Sequence, residues 1–252
     1  GDTIQFSRYV PELEKLGAKI LFCVQDKLRD LFDSFLFPFT LVDPDDTSLN
    51  PDFSLSLMSL PYALRNHHRA PLHQSSVMKR PSKPLSSLDA LSENKNKPLI
   101  GLCWRGNPSN RNDVNRSLSL ERLLSLTKMN VTFVNLQIDL TEEEDTLLQS
   151  NNITNPRHEL STFAGTATIC EQLDAVISVD TSICHLAGSL EIPTFLLLSK
   201  ASDWRWGNTS FRTPWYNNMK LFKQVDLGEW DEPLEAMMRE VENDVITKRD
   251  LI

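Results

Sequence analysis

Positive charge is scarce in this 252-residue sequence: 26 Lys and Arg face 34 Asp and Glu, giving a formal net charge of −8 and a pI near 5.2. That balance argues against a nucleic-acid-binding surface, which needs excess cations to replace phosphate counterions. Any phosphate site has to be a local device. Cysteine is equally sparse: the four residues Cys23, Cys103, Cys170 and Cys184 are scattered, with no CxxC spacing, which excludes the usual zinc and dithiol motifs. Their apolar surroundings imply buried, reduced thiols. No run reaches the roughly 18 apolar residues of a membrane span, and the start lacks a cationic-then-apolar leader, so the expected location is cytoplasmic. The Asn-x-Ser/Thr triplets at Asn115, Asn130, Asn152 and Asn208 are then chance matches.

What is present is an ordinary globular composition, 40% hydrophobic, and enough chain for two small domains. Helical spacing of Phe6, Val10, Leu13 and Leu16, closed by Gly17, predicts a first helix. Lys19 to Val24 reads as a strand, Gln25 to Phe35 as a helix, Leu41 with Val42 as a short strand, and Phe53 to Met58 as another strand on a Ser/apolar alternation. Residues 66–97 are rich in proline, serine and basic groups and read as a linker. Alternation then resumes, with strands at Leu99 to Trp104, Val131 to Leu136, Ala175 to Val179 and Thr194 to Leu198. Helices are expected at Leu118 to Lys128, Glu142 to Ser150, Thr162 to Leu173 and Ser182 to Leu190. Alternating strands and helices imply parallel sheets, divided here into an N-terminal Rossmann-like domain (1–65) and a C-terminal one (98–252) ending in a helix. The opening Gly1-Asp2 stands at a helix start without the strand a βα unit puts before it, and without an initiator Met. The expectation is a piece of a longer protein whose first sheet lacks its first strand.

In open α/β sheets ligands collect at the carboxyl ends of strands, which directs attention to four loops. After the apolar strand ending at Val179, Asp180-Thr181-Ser182 leads directly into a helix. Its free N–H groups and positive dipole end attract an anion such as a diphosphate, although plain N-capping uses the same residue types. His185, one turn in, is either a donor to a phosphate or sugar hydroxyl or a structural histidine. The loop Arg105-Gly106-Asn107 to Arg116-Ser117 carries three arginines against one aspartate, which suits a phosphate clamp or a solvated loop. Gln137 follows another strand and is placed to meet a base or ribose. Asp2 is either a general base for an acceptor hydroxyl or the cap of the first helix. Asp43-Pro44-Asp45-Asp46 imitates an Asp-x-Asp metal motif but falls in an acidic turn, and an exposed loop is the better reading. Trp204-Arg205-Trp206 and Pro214-Trp215-Tyr216 gather aromatics that either line the cleft or pack the domain edge.

Taken in order, Gly1-Asp2-Thr3-Ile4-Gln5-Phe6, Met58-Ser59-Leu60-Pro61, Trp104-Arg105-Gly106-Asn107, Arg116-Ser117, Asp180-Thr181-Ser182 with His185, and Asp203-Trp204-Arg205-Trp206 resemble a known family. It is the C-terminal catalytic region of bacterial tetratricopeptide-repeat glycosyltransferases, related to the heptosyltransferases of glycosyltransferase family 9. The resemblance runs from residue 1 to about residue 230. It implies a GT-B fold, two Rossmann-like domains facing a cleft, and metal-independent inverting transfer from a nucleotide diphospho-sugar, with no cofactor. The base proposed in the heptosyltransferases falls on Asp2. Their Asp-Thr-Gly-x-x-His segment falls on Asp180, Thr181, Ser182 and His185, with Ser182 where the family usually has glycine. The basic residue of the other phosphate loop falls on Arg116. The implied partners are a nucleotide-sugar donor and an acceptor that is protein, glycan or lipopolysaccharide. Rival readings are a non-catalytic nucleotide-sugar-binding module and a nucleotide-sugar 2-epimerase.

Overall fold

The computed structural model describes residues 1–35, 39–66, 71–72, 97–207 and 211–247. The proposed linker, with its histidines His67 and His68, lies almost wholly outside them.

The first helical stretch begins earlier than its periodicity suggests and is broken in two. Helix α1 (Asp2–Phe6) passes through a 3-10 turn (Ser7–Tyr9) into α2 (Val10–Lys15). Pro11 falls at the start of α2, where its missing N–H costs nothing. Gly17, at φ +84°, takes the left-handed conformation that closes the segment, its N–H donating to Glu14 O at 2.7 Å. Strand β1 (Leu21–Cys23), helix α3 (Asp26–Asp33) and strand β2 (Thr40–Val42) follow, and β1 and β2 pair in parallel. Cys23 points outward from β1 and is exposed, which corrects the expectation of a buried thiol; Cys103, Cys170 and Cys184 are buried. The strand expected at Phe53 to Met58 does not form. Phe53 is 93% exposed, and the segment instead leads into a 3-10 turn (Leu57–Ser59) and α4 (Leu60–Ala63). Alternation alone does not make a strand when no neighbouring strand offers it hydrogen bonds.

The C-terminal part holds β3 (Leu99–Cys103), α5 (Asp113–Arg116), α6 (Leu120–Leu123), β4 (Thr132–Asn135) and α7 (Glu142–Ser150). Then come α8 (Phe163–Cys170), β5 (Ala175–Val179), α9 (Ser182–Ser189) and β6 (Thr194–Leu198). Two elements complete it: β7 (Met219–Lys223), a strand the apolar pattern does not announce, and α10 (Asp231–Val241). All five strands pair in parallel in the order β4-β3-β5-β6-β7. Strands β5 and β6 are buried along their whole length, as continuous apolar runs covered by helices on both faces must be.

One apolar cluster crosses from the N-terminal segments to the larger sheet. Ile4, Phe6, Leu31 and Phe32 pack with Leu186, Leu196, Trp215 and Met219. This contact lays α1 against α9 and brings the first residues of the chain to the end of β5.

Candidate functional site

The strand order reverses direction between β3 and β5, since β4 lies on one side of this pair and β6 and β7 on the other. At such a switch point the loops leaving the two strands part and open a crevice at their carboxyl ends. The loops that leave here are Arg105 to Ser117 and Asp180 to Thr181, two of the four strand-end loops to which the sequence directs attention.

Thr181 caps α9, its Oγ1 accepting from Ile183 N at 3.2 Å, and Ser182 opens the first turn half-buried. Arg116 bridges to the same point. Its Nη1 donates to the Asp180 carbonyl at 2.7 Å, while Nε donates to Asp113 at 2.9 Å, and the side chain is only 15% exposed. A guanidinium and the positive end of a helix thus stand side by side. Gly106 makes the approach possible: a Cβ there would lie 2.3 Å from Arg116 Nη2 and 2.4 Å from Asp113 Oδ1. Gly106 N donates to Ser117 Oγ at 3.0 Å and Asn112 Nδ2 to Ala201 O at 3.0 Å, which pins the loop at both edges.

Other residues of that loop turn elsewhere. Arg105 lays its guanidinium on Glu144 of α7, Nε at 3.0 Å and Nη2 at 2.9 Å, and Trp104 Nε1 donates to the same carboxylate at 2.7 Å. Burial acts to raise the Glu144 pKa, but these bonds and the backbone N–H of Thr141 outweigh it and hold it below the usual range. The positive charge of Arg105 is therefore largely compensated away from α9. Asn107 is exposed and uses its carboxamide for a turn, accepting from Ser109 N. Gln137 is buried beneath the loop, where Oε1 accepts from Arg105 N at 3.2 Å and from Cys103 Sγ at 3.6 Å.

His185, on the inner face of α9, is 2% exposed. Nδ1 meets Tyr216 Oη at 2.9 Å, Nε2 faces Arg205 Nη1 at 3.5 Å, and the ring stacks on Trp206 at 5.3 Å. Burial, with the cations around it, keeps its pKa well below the usual histidine range, so the ring is neutral at pH 7. A neutral ring facing a guanidinium accepts at Nε2, which leaves Nδ1–H to donate to Tyr216.

Arg205 is the functional candidate that the sequence conceals among aromatics. Its Nη1 pairs with Asp2 Oδ1 at 2.7 Å and donates to Gln5 Oε1 at 3.0 Å, while Nε donates to Asp203 Oδ1 at 2.9 Å. Asp2 remains half-open to solvent. Asp180, beside this group, has its pKa raised by burial against the opposing pull of Trp206, Arg116 and Arg205. Gln5 Nε2 is buried and finds no hydrogen-bond partner among the described residues.

Ligand atoms of Asp180, Cys184 and His185 lie within 4.8 Å of one another. They do not suit a metal ion: both His185 nitrogens are engaged, one with a cation, and burial pushes the Cys184 thiol up well above its usual range. Asp43, Asp45 and Asp46 form an exposed turn, with Asp45 N donating to Asp43 and Ser48 to Asp46. The hollow lined by Glu12, Lys15, Leu16, Ala63, Leu64, Arg65 and Asn66 includes none of the candidate residues. Among the described residues no helix is long and apolar enough to cross a membrane.

No protein-family model matches the sequence, and no curated protein is a significant match. Solved structures to which the chain is similar include two heptosyltransferases. The E. coli ADP-heptose LPS heptosyltransferase II aligns at TM-score 0.38 and 15% identity, over 66% of this chain and 55% of its own. The E. coli heptosyltransferase WaaC, solved with ADP-2-deoxy-2-fluoro heptose, aligns at TM-score 0.51 and 12% identity, over 98% of this chain and 96% of its own. The second alignment places the two parallel sheets in the GT-B-like α/β fold of that enzyme.

Proposed function

We propose that this chain is a glycosyltransferase that binds a nucleotide diphospho-sugar and passes the sugar to an acceptor hydroxyl with inversion and without a metal ion. The observation that carries the reading is the meeting of Arg116 and the Thr181-capped start of α9 at the switch point of the larger sheet, with Asp2 brought to the same region. The similarity in fold to a heptosyltransferase solved with an ADP-sugar analogue supports it.

In this reading the acceptor oxygen attacks the anomeric carbon as Asp2 takes its proton. The bond from that carbon to the diphosphate oxygen breaks on the opposite face, and the pair of electrons leaves with the nucleoside diphosphate. The N–H groups opening α9 and the Arg116 guanidinium receive the charge that develops on the leaving group. Arg105, committed to Glu144, acts through loop shape, and His185, neutral and held by Tyr216, shapes the wall beside α9. Bacterial origin, cytoplasmic location and tetratricopeptide repeats elsewhere in the protein belong to the same proposal.

A thermal-shift screen with ADP-, UDP- and GDP-linked sugars identifies the donor, since a ligand of the folded state raises the melting temperature. ADP-linked sugars come first because of the analogue bound by the neighbour. Asp2→Ala is expected to abolish transfer while donor affinity is kept. Equal loss of both removes the base role, and binding without turnover in wild-type protein reduces the chain to a binding module.

A further inference from the structure

We propose that Arg205 is the positioning residue for Asp2: it holds the carboxylate of the base in its working orientation without taking part in the proton transfer. The inference rests on Asp2 being the base and adds the group that aligns it.

The geometry is that of a bracket fixed at one end and offered at the other. Asp203 holds the Arg205 side chain at Nε, 2.9 Å, and its backbone at N, 3.1 Å, both through Oδ1. Trp215 Nε1 donates to Arg205 O at 3.0 Å, and the guanidinium lies 5.9 Å over the Trp204 ring. So fixed, Nη1 reaches across 200 positions of sequence to Gln5 Oε1 and meets Asp2 Oδ1 at 2.7 Å. Arg205 is 10% exposed in its side chain and Asp2 is 53% exposed. Asp2 thus presents its carboxylate to solvent while its direction is set from behind.

Stability does not explain the arrangement. Asp203 already neutralises Arg205 on the same short turn, so a second acid is not needed to compensate a buried cation. A pair with one half-exposed partner contributes little to folding. A base for an incoming hydroxyl needs both properties the pair has, access and fixed direction, and a displacement of about 1 Å in a reacting group lowers rate by about 100-fold.

Arg205→Lys keeps the charge and loses the planar fork that grips Asp203 and Asp2 together. The test measures nucleoside diphosphate release from ADP-heptose, UDP-glucose and GDP-mannose with water as acceptor, alongside calorimetric titration with the matching diphosphate. In the wild-type background Arg205→Lys is expected to lower kcat by about 100-fold and to leave diphosphate Kd within about 3-fold. In an Asp2→Asn background it is expected to change kcat no further, because groups that act as one unit do not contribute additively. Should Arg205→Lys fold poorly, Asp203→Asn loosens the same bracket without touching Asp2 and is expected to show the same non-additivity at smaller amplitude. Losses that multiply in the double variant, or a Kd that rises as much as kcat falls, overturn the positioning role while leaving Asp2 as base. Wild-type protein that turns over none of the three donors overturns the functional reading, and this inference with it.

Discussion

Replacing Gly106 by alanine probes the phosphate-binding geometry with a single methyl group. The new Cβ would lie 2.3 Å from Arg116 Nη2, 2.7 Å from its Cζ and 2.4 Å from Asp113 Oδ1. To regain van der Waals distance the guanidinium must retreat by about 1 Å. That movement breaks the 2.7 Å bond to the Asp180 carbonyl and disturbs the 2.9 Å pair with Asp113. Both displaced groups are the ends of flexible side chains, so the folding cost stays below about 1 kcal/mol. The binding cost is larger, because a cation moved out of line loses a charge-assisted bond of about 1.5–3 kcal/mol to the ligand. That corresponds to about 10- to 100-fold in affinity. Calorimetric titration with ADP and UDP, paired with urea denaturation, reads the two quantities separately. Unchanged diphosphate affinity in a variant of unchanged stability would refute the assignment of Arg116 to the phosphate site.

Four further outcomes follow from particular contacts. Arg105→Ala is expected to lower stability by about 1–3 kcal/mol, since Glu144 loses a charge-assisted partner, and to leave diphosphate affinity within about 2-fold, in contrast with Arg116→Ala; urea denaturation and calorimetry distinguish the two. Gly165→Ala places a Cβ 2.0 Å from the Glu159 carbonyl oxygen, a backbone atom that cannot swing aside. A loss of about 1–3 kcal/mol is expected in urea denaturation, and a variant as stable as wild type would contradict the contact. His185 has its folded pKa below the unfolded value, so as pH falls below about 6.5 the unfolded chain binds a proton that the folded chain refuses. Stability should then fall by up to about 1.4 kcal/mol per pH unit down to the folded pKa, and His185→Gln should flatten that slope. Glu144 acts in the same direction but below about pH 4.5, as the pH drops toward its own depressed folded pKa.

The start of α9 was legible because a buried strand running into Asp180-Thr181-Ser182 and a small-residue helix leaves few alternatives. The same holds for β3, β5 and β6, whose continuous apolar runs need cover on both faces. The strand order was not legible, since nothing in a strand's own residues names its neighbours, and the switch point emerges only from pairing. Phe53 to Met58 shows the converse failure: a local alternation with no partner strand. Strand β7 was obscured because Lys220 and Lys223 interrupt its apolar pattern; Lys220 is paired with Glu240 and Asp244. The orientation of Arg105 could not be read from the chain because it is set by an acid distant in sequence, Glu144, and the reach of Arg205, held by its neighbour Asp203, to Asp2 and Gln5 joins opposite ends of the chain. Arg205 was visible as part of the Asp203-Trp204-Arg205-Trp206 motif, but between two tryptophans packing and recognition look alike.

The proposed glycosyltransferase activity requires a diphosphate to rest between Arg116 and the first turn of α9. A crystal of this chain grown with ADP or UDP tests it directly. Phosphate oxygens are expected within hydrogen-bond distance of the Ser182 backbone N–H and of the Arg116 guanidinium, with Asp2 and Arg205 alongside. Nucleotide bound in the hollow between Glu12 and Asn66, or bound without contact to Arg116 or to the first turn of α9, would contradict it.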